Sequence, residues 1–453
     1  MFAIKKRAYF YFLTGAWALW GLQLAHAALP IQHWVQPSGV AVYLVESPAV
    51  PMVDVQIDFD AGSRRDPPAQ AGLASVTAGM TAKGLRAASA QGTVPAGAAL
   101  DENALGEAWA DLGAAFVASA GGDRMSFTLR TLAYPDLLAR AVALAARQLA
   151  EPAFPAAVWA RERERLGAAL REANTQPATV AARAFNRAVY GTHPYGAEMT
   201  EASLARIEVA DMQALYARLI RPCRAKVSIV GAVTRVQADS LVTQLLQRLP
   251  EGGCEPLPPV AEVAPLSQAS EQRIAFASAQ AHVLIGQPGY KRDDPDFFAL
   301  TVGNYILGGG GFVSRLTTEV REKRGLSYSV YSYFAPGLHA GAYTVGLQTR
   351  PDQAAQAVQV AREVVRRFVA EGPTAAELQA AKDNLIGGFA LRIDSNRKLL
   401  DNVANIAWNG LPLNYLDTWT QQVARVSLAD IRAAFARKLQ PERMVTVVVG
   451  GQP

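Results

Sequence analysis

One internal repeat constrains this chain more than any other feature of its sequence. Arg206–Gly231 and Arg425–Gly450 align without a gap at a constant offset of 219 residues, and they share an Ala-Asp pair, an Ala-Arg pair, a Pro and the final Gly. Each copy reads as a helix with apolar residues at helical spacing, then a Pro break, then a β-branched strand. A period this long predicts two related domains.

Earlier parts of the two halves repeat the same order of features. Arg65-Asp66-Pro67 precedes a helical pattern in the first half, and Arg292–Pro295 precedes one in the second. The predicted strands Met125–Leu132 and Ala342–Leu347 each run into a Pro-Asp turn and a long, Ala-rich amphipathic helix. The sequence therefore predicts an α+β fold of two homologous halves, each an antiparallel sheet with helices packed on one face.

The first residues have the layout of a secretory signal peptide. The cationic stretch Lys5–Arg7 precedes an apolar segment, Ala8–Leu24, and small residues at positions 25 and 27 mark a cleavage site. We expect residues 1–27 to be a signal peptide and the protein to be exported, to the periplasm if the organism is Gram-negative. An uncleaved anchor or a buried N-terminal helix is the alternative.

A proline-rich stretch separates the two halves. Residues 251–270 contain four prolines and show no apolar periodicity, which is typical of a linker. The predicted domains are therefore 28–250 and 271–453. No further segment is apolar over the roughly 20 residues that a membrane span needs.

The charge balance argues against a nucleic-acid partner. The formal net charge is +5, and it falls to +2 without Lys5, Lys6 and Arg7. Arginine alternates with glutamate in the basic run Arg161–Arg165, which indicates a solvated helix face.

Arg64–Gly84 carries a resemblance to a known family. Its sequence, RRDPPAQAGLASVTAGMTAKG, is similar to the helix that bears H-x-x-E-H in the pitrilysin/insulinase-type zinc peptidases, the inverzincins. The chain most resembles their bacterial processing-protease-like branch, over essentially all of the mature sequence. The resemblance implies that the two halves form half of a clamshell chamber.

The sequence departs from that pattern where the metal would bind. The five positions read Ser75-Val76-Thr77-Ala78-Gly79, so Ser75 and Gly79 replace both histidines and Ala78 replaces the general base. A third ligand would come from the region of Glu172 or its neighbours Glu162 and Glu164. We expect no metal in this chain and expect the small residues to pack their helix against the sheet.

No other metal or nucleophile motif replaces the lost one. The four histidines after the predicted leader are far apart in sequence, at His33, His193, His282 and His339. A G-x-S-x-G elbow is absent from the sequence.

A second motif of the family is kept. Leu316 and Val320 lie on one face of a predicted short helix, Arg321 falls in its last turn, and Gly325 ends it before a strand that starts near Tyr328. This geometry predicts that Arg321 and Tyr328 lie together. The resemblance implies that such a pair contacts the substrate backbone, with tyrosine also able to stabilise an oxyanion.

The glycine run Gly308, Gly309, Gly310 and Gly311 precedes that helix. It lacks the Gly-Lys-Ser/Thr of a phosphate-binding loop. It resembles the flexible glycine-rich loop of non-catalytic subunits in the family, which contacts incoming substrate. A plain loop before a helix is the alternative.

These features together predict a non-catalytic, substrate-binding subunit of a heterodimeric zinc metalloendopeptidase. Zinc would reside in a homologous partner subunit with an intact H-x-x-E-H, and the substrate would be a peptide or unfolded protein. The alternative is a peptide-binding or scaffold protein with no role in hydrolysis. A free-standing peptidase of unrelated mechanism is a third reading.

Two cysteines, Cys223 and Cys254, lie near the end of the first half. Cys223 directly precedes a predicted strand, and a predicted helix, Val236–Leu249, returns the chain to the same edge of the sheet. Because export would place both thiols in an oxidising compartment, we expect them to form a disulfide.

Overall fold

The computed structural model describes residues 30–90 and 96–451. The predicted signal peptide, residues 1–27, lies outside these ranges. No helix in the described part of the chain is long and apolar enough to cross a membrane.

The first half forms a six-stranded sheet in the order β1-β2-β6-β3-β5-β4. Its strands are β1 (Gln32–Val35), β2 (Ala41–Glu46), β3 (Met52–Phe59), β4 (Ala115–Ala120), β5 (Met125–Leu132) and β6 (Lys226–Gly231). The second half forms a five-stranded sheet in the order β7-β11-β8-β10-β9. Its strands are β7 (Ser270–Ile274), β8 (Ala281–Pro288), β9 (Ser329–Phe334), β10 (Ala342–Thr349) and β11 (Val445–Val449).

The two sheets follow the same plan. The strand orders match when the first sheet is counted from its edge strand β4 and the second from its edge strand β9. The order is then β4, β5, β3, β6, β2 in the first sheet and β9, β10, β8, β11, β7 in the second. The pairs β2–β6 and β7–β11 are parallel, and the other pairs are antiparallel. The predicted α+β fold of two homologous halves is confirmed, with one parallel pair added to each sheet.

The described part of the first half has eight helices and that of the second has six, and in each half five of them lie between the last two strands in sequence. Those of the first are α1 (Leu73–Met80), α2 (Glu102–Asp111), α3 (Pro135–Ala150), α4 (Ala156–Ala173), α5 (Pro177–Tyr190), α6 (Glu201–Leu204), α7 (Val209–Leu219) and α8 (Arg235–Leu246). Those of the second are α9 (Phe297–Asn304), α10 (Ala354–Glu371), α11 (Ala375–Gly387), α12 (Asn396–Asn409), α13 (Tyr415–Arg425) and α14 (Leu428–Lys438).

One helix of each half packs on the sheet of the other half. Phe185 of α5 packs with Val445 and Val447 of the second sheet, whereas Val403 of α12 packs with Val230 of the first. Since side chains alternate along a strand, these contacts lie opposite the face that each half covers with its own helices. The sequence predicted helices on one face only, and the exchanged helices fill the other.

The structure joins Cys223 and Cys254 in a disulfide, with their Cα atoms 6.0 Å apart. Cys223 lies in the short turn before β6, and α8 ends eight residues before Cys254. The bridge thus ties the start of β6 to the segment that leaves the first half.

Removing this disulfide should destabilise the protein. The cross-link spans 31 residues. The loop-entropy relation gives a stabilisation of about 3.7 kcal/mol from the conformational entropy that it removes from the unfolded chain. We expect the Cys223→Ser/Cys254→Ser variant to unfold at a correspondingly lower urea concentration than the oxidised wild type. Reduced wild type is the control, and equal midpoints for all three proteins would contradict the prediction.

Candidate functional site

Helix α1 carries the degenerate metal motif. Ser75 and Gly79 are exposed on one face, whereas Val76, Thr77 and Ala78 are buried. A Cβ atom added at Gly79 would meet nothing within 4 Å. The expectation that all these small residues pack against the sheet is therefore wrong for Ser75 and Gly79, which leave an open helix face at the two positions that the H-x-x-E-H pattern assigns to histidine.

The region of the third ligand is occupied by ion pairs. Glu162 of α4 is buried, and its carboxylate lies 2.8 Å from Arg165 and 3.4 Å from Lys83, which follows α1. Burial raises the pKa of Glu162, but the bonds from Arg165 and Lys83 outweigh it and hold the pKa below its usual value. Glu164 and Glu172 are exposed. Of the three predicted positions, only Glu162 thus turns inward towards the residues after α1.

These residues do not fit zinc. A structural or catalytic zinc site needs three or four His, Cys or carboxylate ligands, and this face offers one hydroxyl and a carboxylate already held by cations. Within the described ranges, no group of three or more His, Cys, Asp or Glu could hold a metal ion.

Two histidines that are distant in sequence meet at the junction of the halves. The rings of His193 and His339 lie 5.1 Å apart. His193 Nδ1 accepts from the Tyr195 backbone N–H, and His339 Nδ1 lies 3.1 Å from Glu262. Both rings are therefore engaged in contacts that join the first half, the linker and the second half. This pair could not be predicted from sequence, because the two histidines are far apart in the chain and meet only through tertiary structure.

Asp66 fixes the start of α1. Its two carboxylate oxygens accept from the backbone N–H groups of Gly72 and Ala74, each at 2.9 Å. Gly72 has a φ of 101°, a conformation that favours glycine. Burial raises the pKa of Asp66 to about 6, although these N–H groups oppose the shift.

The protein should lose stability through Asp66 as the pH rises. Because the folded pKa of about 6 exceeds the unfolded value of 3.8, this group's contribution is complete below about pH 4 and disappears as pH passes through about 6. The difference in unfolding free energy between wild type and Asp66→Asn should therefore fall by up to about 3 kcal/mol from pH 4 to pH 7. Urea unfolding of both proteins across this range measures it, and a constant difference would contradict it.

Arg321 and Tyr328 lie together, with a third residue that the sequence did not single out. The Cζ atom of Arg321 is 4.9 Å from the ring centroid of Tyr328 and 4.7 Å from that of Phe312. The guanidinium thus lies against two aromatic rings, and Tyr328 is 82% exposed. No acceptor within the described ranges takes a hydrogen bond from the Arg321 side chain, so its N–H groups remain available to a ligand.

The local sequence explains this placement. Leu316 and Val320 lie on one face of a short helical segment and are fully buried. The end of this segment, Thr317–Glu322, is a π-helical turn. Gly325 has a φ of +60° and reverses the chain. Tyr328 then lies one residue before β9, the edge strand of the second sheet. π-Helical turns are frequent at functional sites.

The glycine run is more structured than a flexible loop. Gly308 and Gly309 end a π-helical turn, Tyr305–Gly309, and Gly311 begins a short 3₁₀ turn. Gly308 is buried, and a Cβ there would lie 2.3 Å from Ser332 Oγ. Gly308 therefore has a packing role, whereas Gly309 and Gly311 are exposed and Gly310 is half-buried beside Tyr305.

An aromatic row extends the Arg321 site along β9. Tyr331 and Tyr333 are partly exposed, and their rings stack with centroids 6.0 Å apart. Gly346 of β10 makes room for the Tyr331 ring, because a Cβ there would lie 2.4 Å from it. The alternation of tyrosines in the sequence could have signalled this row.

Comparison with known proteins relates both halves of this chain to one peptidase family. Residues 41–203 match the family described as insulinase (peptidase family M16), and residues 206–385 match the family described as peptidase M16 inactive domain. A crystal structure of a peptidase M16 inactive domain from Pseudomonas fluorescens is 31% identical, with a TM-score of 0.86, over 94% of this chain and 98% of that one. This chain belongs to the M16 peptidase family.

Its M16 relatives include proteins named as proteases and one named as a non-peptidase. An uncharacterized zinc protease of Streptomyces coelicolor is 31% identical over 49% of this chain and 50% of its own length. The non-peptidase homolog YmxG of Helicobacter pylori is 30% identical over 51% of this chain and 53% of its own. The alignments thus span about half the length of these curated relatives. The periplasmic protease PqqL of Escherichia coli, at 16% identity and a TM-score of 0.78 over 93% of this chain and 46% of that one, shares the fold.

Proposed function

We propose that this M16 protein is the non-catalytic, substrate-binding subunit of a heterodimeric zinc metalloendopeptidase. The observation that carries the proposal is the Arg321–Tyr328 pair, in which Tyr328 is exposed and Arg321 has no acceptor among the described residues. Helix α1 of the same chain offers no ligand set for zinc. The chain therefore retains groups that bind a peptide backbone and lacks those that would cleave it.

In this proposal the two subunits divide the chemistry. A homologous partner with an intact H-x-x-E-H holds zinc and the general base. Arg321 donates to a substrate carbonyl, and the Tyr328 hydroxyl donates to the oxygen that gains negative charge. The exposed glycines Gly309 and Gly311 let the substrate backbone approach Phe312 closely.

The processing and place of the protein belong to the same proposal. Residues 1–27 would be removed on export, to the periplasm in a Gram-negative cell, and the mature chain would consist of domains 28–250 and 271–453 joined by 251–270. Its substrate would be a peptide or unfolded protein.

Reconstitution tests the proposal directly. This chain and a homologous chain with an intact H-x-x-E-H are purified separately and together, and each preparation is assayed for zinc and for cleavage of a quenched-fluorescence peptide library. We expect this chain alone to hold no stoichiometric zinc and to cleave nothing, and the mixed complex to cleave far faster than the partner alone. One tightly bound zinc in this chain, or a mixture no faster than its partner, would contradict the proposal.

A second candidate is a peptide-binding or scaffold protein without a role in hydrolysis. The stacked Tyr331 and Tyr333 rings favour it, because such a row can bind an extended peptide without catalysis. This function predicts peptide binding by the chain alone and no gain in hydrolysis with any partner.

A further inference from the structure

A cavity of about 420 Å³ lies beyond the end of β9, between α9, α12 and α13. Aromatic side chains form half of its wall, and two arginines, Arg292 and Arg392, lie among them. Among the described residues, no Asp or Glu lines this cavity. Its size falls in the range of small-molecule sites, and its charge is positive.

Arg292 is a buried cation without a carboxylate. It is 8% exposed, its Nη2 donates to the Tyr415 hydroxyl at 2.7 Å, and its Cζ lies 3.8 Å from the ring centroid of Phe297. Within the described ranges it forms no ion pair. Burying a charge without an opposite charge is costly. The ring faces offset only part of this cost.

The duplicated fold supplies an internal comparison. Arg64 holds the same position in the first half: it follows β3 as Arg292 follows β8, and both precede an Asp-Pro pair. The backbone N–H of each donates to a glycine carbonyl in the facing turn, Gly122 at 3.0 Å and Gly337 at 2.8 Å.

The two arginines differ in their partners. Arg64, which is 7% exposed, lies 2.6 Å from Asp60 and 3.2 Å from Asp123. When the halves are matched at Pro67 and Pro295, Pro288 stands where Asp60 stands. The second half has thus kept the buried arginine without its carboxylate.

The other charges near the cavity do not compensate Arg292. Asp294 pairs with Lys438, and Asp296 pairs with Arg437 at 2.6 Å. Arg392 is exposed, its Cζ lies 5.1 Å from the Trp419 ring, and it forms no ion pair within the described ranges. The cavity therefore presents two guanidinium groups without an acid.

We propose that this cavity binds an organic carboxylate with an apolar or aromatic body. Arg292 and Arg392 hold the carboxylate, for which the guanidinium fork is suited, and the aromatic walls cover the body. The carboxylate is either the C-terminus of a peptide or a free small acid. The proposal does not depend on the role of Arg321 and Tyr328.

Calorimetric titration of the full chain tests the site with N-acetyl-phenylalanine, its C-terminal amide and inorganic phosphate. We expect saturable binding of the acid and at least tenfold weaker binding of the amide, because a charge-assisted hydrogen bond to Arg292 is lost in the amide. Inorganic phosphate has no apolar body to fill the aromatic walls, so it should not compete with the acid. Acetyl-Gly-Gly-Phe separates the sources: tighter binding than N-acetyl-phenylalanine identifies a peptide C-terminus, and equal or weaker binding identifies a small acid.

Variants assign the binding to these residues. Arg292→Gln and Arg392→Gln should each weaken binding of N-acetyl-phenylalanine about tenfold or more, whereas Arg366→Gln, which removes an exposed guanidinium of α10 outside the cavity, should not. If Arg292→Gln does not fold, the Arg392→Gln variant and the comparison of acid with amide decide whether the cavity binds the carboxylate. Absence of saturable binding, equal binding of acid and amide, or unchanged binding by both cavity variants would overturn the proposal.

Discussion

Replacing Tyr328 with Phe is expected to lower turnover of the mixed complex by about 10²–10³-fold without changing its assembly. The ring against Arg321 is kept, so the pair retains its geometry, and only the phenolic donor is lost. A donor to a developing oxyanion contributes about this much to the rate. Single-turnover cleavage at saturating enzyme measures the effect on the chemical step apart from substrate binding.

Two further variants make this test specific. Tyr331→Phe removes a hydroxyl from the neighbouring ring but keeps the stacked ring, and should leave the single-turnover rate at saturating enzyme unchanged. Arg321→Lys keeps the positive charge and loses the planar fork, so it should weaken substrate binding. Equal turnover for wild type and Tyr328→Phe, or an equal loss for Tyr331→Phe, would exclude the role of Tyr328 in stabilising the oxyanion.

The Arg321–Tyr328 contact could be predicted from sequence because its causes are local. A buried face set by Leu316 and Val320 fixes the helix, and Gly325 reverses the chain within a few residues. The division into two halves could also be predicted from sequence, since the repeat shows the strands and helices that the halves share. The contact of the Phe312 ring with Arg321 could not be predicted, because a glycine run does not show where the next side chain points.

The exchange of α5 and α12 could not be derived from sequence. A helical pattern shows which face is apolar, but not which sheet that face covers. For the same reason the sequence does not show which glutamate of the third-ligand region faces α1: Glu162, Glu164 and Glu172 all lie on one helix. Burial against Lys83, a tertiary contact, distinguishes Glu162.

Strand β3 carries a polar face whose meaning depends on this exchange. Asp54, Gln56 and Asp58 alternate with apolar residues, a pattern typical of a solvated face, yet all three are buried. Their face is covered by α12 from the other half. Arg124 of the first half donates to the Ala404 carbonyl of α12 at 3.2 Å, and Lys226 donates to the Ala407 and Trp408 carbonyls at 2.9 and 3.1 Å.

Asp58 balances the two cations that bind the end of α12. Its Oδ2 accepts from Arg124 at 2.9 Å, and its Oδ1 accepts from Ser126 at 2.5 Å. Burial lowers the pKa of Lys226, and the charge of Asp58 opposes that shift. A cation near a helix C-terminus is favourable, but two buried cations without a carboxylate would repel each other.

Asp58→Asn is therefore expected to destabilise the protein by about 3 kcal/mol, since it removes one partner of a buried ion pair and leaves the other uncompensated. Asp54→Asn is the matched control on the same strand and face. Burial raises the pKa of both carboxyl groups. Asp54, however, lies 3.6 Å from a half-exposed Arg130, and its Oδ2 accepts no hydrogen bond from the described residues. Its neutralisation should cost less than about 0.5 kcal/mol or stabilise the fold. Urea unfolding at pH 7 compares the two variants, and equal losses would show that Asp58 does not hold α12 through its charge.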